Sequence, residues 1–134
     1  MSTQVDTKNI IINELSKYYN HGLWKLIREE KWDWEYLSRH KKFNFNWLKA
    51  FPKANWDWKY LSRHEEIRFY WLINFPDKEW DWKYLSGHKD FRFHWIKNLP
   101  KALWDFNILS KRNDFSFKWV EKYPNKDWDW ICIS

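Results

Sequence analysis

Five tryptophans, Trp32, Trp56, Trp80, Trp104 and Trp128, stand 24 residues apart without a slip. Phe45, Phe69, Phe93 and Phe117 keep the same interval, and so do Trp47, Trp71, Trp95 and Trp119. All four prolines (Pro52, Pro76, Pro100, Pro124) obey it too, and the column Leu37, Leu61, Leu85, Leu109 runs on to Ile133. A chain with so fixed a period must bury each unit's apolar face against copies of itself, so a stacked array of repeats is expected. The period sets the organisation: one repeat domain over residues 1–134, with four 24-residue repeats in 32–127 and a partial fifth in 128–134. Residues 1–31 are expected to form an atypical N-terminal cap, as one face of a terminal repeat meets water. There "INELSKYY" offers Leu15-Ser16 in place of Leu37-Ser38, and "GLWKLI" stands where "FNWLKAF" would be.

The segments "FNFNW", "IRFYW", "FRFHW" and "FSFKW" alternate over five residues, which taken alone suggests a strand and a β-array. Their apolar positions continue, however, as Phe45, Leu48 and Phe51, at helical spacing. About ten tight turns built with only two glycines, Gly22 and Gly87, would also be unusual for an all-β array. Proline closes each segment, as it does just past helix ends. The expected fold is therefore all-α: a short-helix α-solenoid of helix-turn-helix repeats, whether its elements are α or 3₁₀. Asn44 and Ser116 occupy the N-cap slot of the second helix, whereas Arg68 and Arg92, in the same slot, have no capping side chain.

Inside a helix, the two tryptophans of "WDW" would point to opposite faces. The conflict disappears if Asp33 is the N-cap, accepting from first-turn amides at the positive end of the helix dipole. Trp32 then precedes the cap and Leu37 is the fourth helical residue, the spacing of a hydrophobic staple. Asp57, Asp81, Asp105 and Asp129 fit the same reading. Each helix is predicted to span about eight residues, roughly 12 Å. Elements so short are unstable alone, and large rings burying some 150–250 Å² each compensate. Aromatics at 23%, with 14 tryptophans, are thus a consequence of helix length.

The frame P-x-x-x-W-D-W-x-x-L-S, followed by a second apolar helix and another proline, resembles the tryptophan-containing repeats of giant amoeba-infecting viruses. It covers about residues 31–134. More loosely, the period resembles the leucine-rich repeat variant, a solenoid of short α and 3₁₀ helices. The viral repeats often carry Asn-Pro before the second helix, where this chain has "HKK", "HEE", "HKD" and "RND". The resemblance implies an α-solenoid and a large-virus origin, and no chemistry.

As acid/base carboxylates the five aspartates would need one pair set apart from the rest, yet the array repeats all five alike. His40, His64 and His88 form a column completed by Arg112, but layer-spaced imidazoles cannot converge on one metal ion. They are expected at the C-terminal end of the first helix, where a donor suits the free carbonyls. The serines at 38, 62, 86, 110 and 134 repeat without a base beside them. No cofactor, catalytic residue or small-molecule substrate is therefore assigned, and the protein is read as a non-enzyme.

The turns between the helices are charged: "RHKK", "RHEE", "GHKD" and "KRND". Arg39, Lys41, Lys42, Arg63, Lys89, Lys111 and Arg112 would give one edge a basic character, with Arg63, Lys89, Lys111 and Arg112 as phosphate contacts if the partner were nucleic acid. The net charge is +6, but Glu65, Glu66, Asp90 and Asp114 interrupt the stripe, which favours a solvated edge. In the last copy the slot of Glu35, Lys59, Lys83 and Asn107 becomes Ile131, beside Cys132 and Ile133. A capping repeat normally turns polar there. An apolar end suggests docking of a second copy or another protein, unless the last helix folds back over Ile131. One cysteine excludes an intramolecular disulfide framework. "MSTQVDTKNI" is not a signal peptide, and no run is apolar enough to span a membrane. The expectation is an intracellular interaction or assembly module (host cytoplasm or virion, if viral), with nucleic-acid binding as the alternative.

Overall fold

The computed structural model describes residues 3–18 and 31–134, and every regular element among them is helical. The β-array is thereby excluded for these residues. Helix α1 (Thr3–Tyr18) is one continuous helix of 16 residues. Then α2 (Trp34–Ser38), α4 (Trp58–Leu61), α6 (Trp82–Ser86), α8 (Phe106–Ser110) and α10 (Trp130–Ile133) each start on a WD motif. Alternating with them are α3 (Phe45–Ala50), α5 (Phe69–Asn74), α7 (His94–Asn98) and α9 (Phe117–Lys122). These nine helices span four to six residues rather than the eight expected. Hydrogen bonds from residue i+3 back to i, such as Trp47 N–H to Asn44 O and His40 N–H to Leu37 O, tighten their ends. Within the N-terminal region, Leu15-Ser16 lies inside α1 and not at the end of a repeat-type helix, and "GLWKLI" lies outside the described residues.

The WDW reading as a helix start with the aspartate as N-cap holds. Asp33 Oδ1 accepts from Tyr36 N–H at 2.9 Å. Asp57, Asp81, Asp105 and Asp129 accept from the corresponding amide at 2.9–3.1 Å. The aspartate is also the middle of a tight bend. Trp34 N–H donates to Trp32 O at 3.0 Å, and Asp33 has φ −81° and ψ 85°, an inverse γ-turn. This bend lets both flanking rings enter the core: Trp32 and Trp34 are buried, as are Trp56, Trp58, Trp80 and Trp82. At the second helices Asn44 and Ser116 cap, while the Arg68 slot has no side-chain cap bond. The alternation in "FNFNW" has a plain cause. Phe43 is buried from the turn, and the helix then begins at Phe45 and buries Trp47 and Leu48.

The chain divides into two compact units, Met1–Leu61 and Ser62–Ser134. In the first, α1 packs on α3, and Trp34 meets Trp56 edge-on at 4.8 Å. In the second, Trp82–Trp104 and Phe106–Trp128 repeat that contact at 5.0 Å. There Phe69 also stacks on Trp95 and Phe93 on Trp119.

Consecutive repeats are tied by a serine. Ser38 Oγ donates to Trp34 O at 2.7 Å and accepts from Asp57 N–H at 2.9 Å. In the second unit Ser62, Ser86 and Ser110 accept from Asp81, Asp105 and Asp129 N–H at 2.8–2.9 Å. These serines are buried. A second tie comes from the tryptophan before each aspartate: the indole N–H groups of Trp56, Trp80, Trp104 and Trp128 donate at 2.8–2.9 Å to the carbonyls of Phe51, Phe75, Leu99 and Tyr123. Those four residues are the C-caps of the preceding second helices.

Ser86→Ala strips the Asp105 amide of its partner, and the expected cost in chemical denaturation is about 1–3 kcal/mol. A change below about 0.5 kcal/mol, the size of an ordinary surface substitution, would contradict the tie.

Candidate functional site: the turn edge

The polar residues that remain once the caps are accounted for gather at the turns between helices. Each turn is closed by its histidine, but in the opposite sense to the expectation. His40, His64 and His88 do not donate to helix carbonyls through Nδ1. Instead Nδ1 accepts, at 3.0 Å, from the backbone N–H of Lys42, Glu66 and Asp90. The ring therefore imitates an Asx-turn, holding the chain two residues on. Burial pushes the His88 imidazole below its usual range; the Asp90 charge opposes this, while Lys89, Arg112 and Arg68 reinforce it. Arg112 fills the histidine slot of the next repeat by other means. Its Nη1 donates to Ser86 O at 3.1 Å and His88 O at 2.8 Å, its Nε and Nη2 hold Asp114, and its guanidinium lies 4.8 Å from the Phe91 ring centre. The Arg112 hydrogen bond holds the Asp114 carboxyl below the usual carboxylate range.

Several residues expected on a free basic edge are occupied. Arg39 reaches Asp57 Oδ2 at 2.9 Å and Glu35 at 3.0 Å, and covers the Tyr60 ring at 4.7 Å. Arg63 reaches Asp81 Oδ2 at 2.8 Å and covers Tyr84, also at 4.7 Å. Lys111 stands 3.6 Å from Asp129 Oδ2. Lys42 bonds the buried Glu14 of α1 at 2.9 Å, and His40 Nε2 lies 3.0 Å from the same carboxylate. That Lys42 bond leads in holding the Glu14 carboxyl below the usual range, against the opposing effect of burial. Lys41 is exposed. The aspartate's second oxygen thus serves as a counter-ion for the preceding repeat, and Arg63 is a structural residue before it is a ligand contact.

The ladder is broken once. The slot of Arg39, Arg63 and Lys111 holds Gly87, and the ring slot of Tyr60 and Tyr84 holds Ile108. A cleft of about 500 Å³ opens there, lined by Gly87, Ile108, His88, Lys89, Lys111, Arg112, Asn113 and Asp114. It brings together three of the seven predicted edge residues: Lys89, Lys111 and Arg112. Reading the columns 39/63/87/111 and 60/84/108/132 side by side would have revealed this paired departure, since the two slots meet in space.

At the last helix the expected apolar end divides. Ile131 is 91% exposed and Cys132 is exposed, but Ile133 is buried and cannot contribute to docking. Trp130 was not singled out by its sequence, yet it is 54% exposed, whereas Trp34, Trp58 and Trp82 in the same slot are buried.

Among the described residues no group of three or more His, Cys, Asp or Glu side chains gathers as a metal ion would require, and no helix is long and apolar enough to cross a membrane. No protein-family model, curated protein or solved structure matches the chain.

The His88 shift fixes a pH dependence. Its folded-state pKa is depressed, so the unfolded chain takes up a proton first as pH falls. Stability is full above about 6.5, the unfolded value, and declines below it. Asp114 and Glu14 add the same trend nearer pH 4, because their carboxylates are favoured in the folded state. Melting temperature is expected to drop between pH 7.5 and 5.5. His88→Asn, a non-titrating acceptor, should flatten that segment, and an equal slope in the variant would refute the assignment.

Gly87 has φ −96°, and a Cβ there would meet Ile108 Cγ2 at an ordinary 3.4 Å. Gly87→Arg restores the residue of the sister repeats and restricts the unfolded chain, so it should stabilise by about 0.4–1 kcal/mol in denaturant titration. A loss of stability would show that the slot is not equivalent to those of Arg39 and Arg63.

Proposed function

We propose that the chain is a non-enzymatic α-solenoid of 24-residue repeats that serves as a protein–protein interaction or assembly module. The observation that carries this reading is the employment of its repeated polar groups. The five array aspartates cap helices, and four of them also donate their backbone N–H to a serine Oγ of the preceding repeat. Three of those four pair with a cation of the preceding repeat. The groups that resemble chemistry in the sequence are consumed in holding the repeats together, so differences at the exposed faces are what remain for recognition. Similarity of the repeat frame to those of giant amoeba-infecting viruses supports assembly in host cytoplasm or virion. A nucleic-acid strand along the turn edge has less support, since Arg39 and Arg63 are paired and the WDW rings needed for base stacking are buried apart from Trp130.

The surface best suited to such contact is the Trp130–Ile131 face. At Trp34, Trp82 and Phe106 the ring in the Trp130 slot is covered edge-on by a tryptophan at 4.8–5.0 Å. Two copies meeting about a two-fold axis would each cover the other's Trp130 and Ile131. Ile131→Lys places like charges across that axis. Sedimentation of the unmodified protein is expected to give a concentration-dependent dimer that the variant abolishes, and identical mass distributions would refute this interface.

A further inference from the structure

The backbone at Gly87 does not need a glycine. With φ −96° and no neighbour nearer to an added Cβ than 3.4 Å, a Cβ is sterically admissible there. What the missing side chain supplies is space. In sister repeats an arginine lies across the corresponding place, over Tyr60 or Tyr84. At Gly87 and Ile108 both arginine and ring are gone from the same contact, and the cleft of about 500 Å³ is the result.

We propose that this cleft is an anion site for a phosphate-class dianion, held by Lys89, Lys111 and Arg112 with the Asn113 amide beside them. Its lining carries three cations and one carboxylate, Asp114, a surplus of two positive charges that matches a dianion. Arg112 supplies a rigid wall: Nε and one Nη2 hydrogen are spent on Asp114, Nη1 on the Ser86 and His88 carbonyls, and one Nη2 hydrogen remains for a ligand. Lys89 and Lys111 come from consecutive turns, and both are exposed ammonium groups on flexible stems, suited to phosphate as point charges. Lys111 bonds Asn107 at 3.0 Å and reaches Asp129 only at 3.6 Å, so a ligand draws it inward at the expense of a long, solvent-screened ion pair. The site does not depend on the end-to-end pairing or on the solenoid reading, since all its residues lie in one compact unit.

Calorimetric titration of the full chain with inorganic phosphate, at a mildly alkaline pH where it is a dianion and at fixed ionic strength, tests the proposal. Binding is expected, and Lys89→Gln should weaken it. Gly87→Arg should weaken it by about tenfold or more, with melting curves confirming the fold. This variant adds a positive charge, so general attraction to a basic surface would strengthen binding where occupation of the cleft weakens it. Gly87→Met fills the same space without charge and should give the same loss. No binding by the unmodified chain, or wild-type affinity in either Gly87 variant, overturns the site. A 5′-hydroxyl oligothymidylate, which offers only monoanionic diesters, distinguishes the phosphate's source: weaker binding than inorganic phosphate marks a free phosphoryl group, and tighter binding a strand.

Discussion

One hydroxyl group per repeat holds the architecture in register. A serine offers a single donor and two lone pairs. Here the donor goes to a carbonyl of its own helix, while a lone pair receives the amide of the next aspartate. The amide so fixed belongs to the residue whose carboxylate caps the following helix and whose carbonyl accepts the first helical bond. Position, cap and helix start are thereby set together. Moving the serine by one residue would turn its hydroxyl away from that amide, which explains a 24-residue period without insertions. The cost of error is high because the tie is buried, and a buried amide without a partner forfeits its full desolvation energy.

Helices of four to six residues cannot supply such order themselves. Nucleation fixes several residues before the first hydrogen bond forms, and an element of one turn never recovers that cost. Stability must come from burial between elements, and the rings provide it. The tryptophan preceding each aspartate contributes twice. Its ring is buried, and its indole N–H satisfies a C-cap carbonyl of the second helix that the helix leaves free. A phenylalanine could fill the volume but would forgo this bond, leaving Leu99 O, for example, with only the Ala102 N–H at 3.2 Å. Trp47 marks the contrast: it is fully buried, and its indole nitrogen has no hydrogen-bond partner. At Trp47 the ring serves packing, against His40 and Phe43 among others.

Much of this was legible in the sequence, and the failures have a common origin. Caps and proline stops depend on neighbours within a few residues, and the period shows as plain repetition, so the string of letters carries them. Helix length was overestimated because apolar spacing persists through Phe51 and its equivalents, which have already left the helix as C-caps. The histidine role was reversed because helix-end statistics favour donors, whereas a ring nitrogen two residues before an amide is geometrically placed to accept. The pairing of Arg39 with Asp57 spans 18 residues and that of Arg39 with Tyr60 spans 21, so neither can be seen without knowing which face of one repeat meets the next. For the same reason the basic edge read as a run of free charges, when Arg39, Lys42, Arg63 and Arg112 were already engaged.

In a protein built this way, the informative positions are those where a column departs from its own rule. A repeated residue answers to the tie, the cap or the core, and its identity reports on folding. A departure at one position invites a compensating change at its contact partner, and Gly87 with Ile108 is such a pair. Loss of the arginine alone would leave a tyrosine uncovered, and loss of the ring alone would leave a guanidinium without its platform. Losing both removes one cation–π contact while leaving the Ser86 tie to Asp105 at 2.8 Å and the Asp105 cap at 2.9 Å intact. The second unit therefore accommodates an opening on its turn edge without loosening the joint beneath it. That separation of joint from surface is what allows a run of near-identical repeats to carry one distinct place.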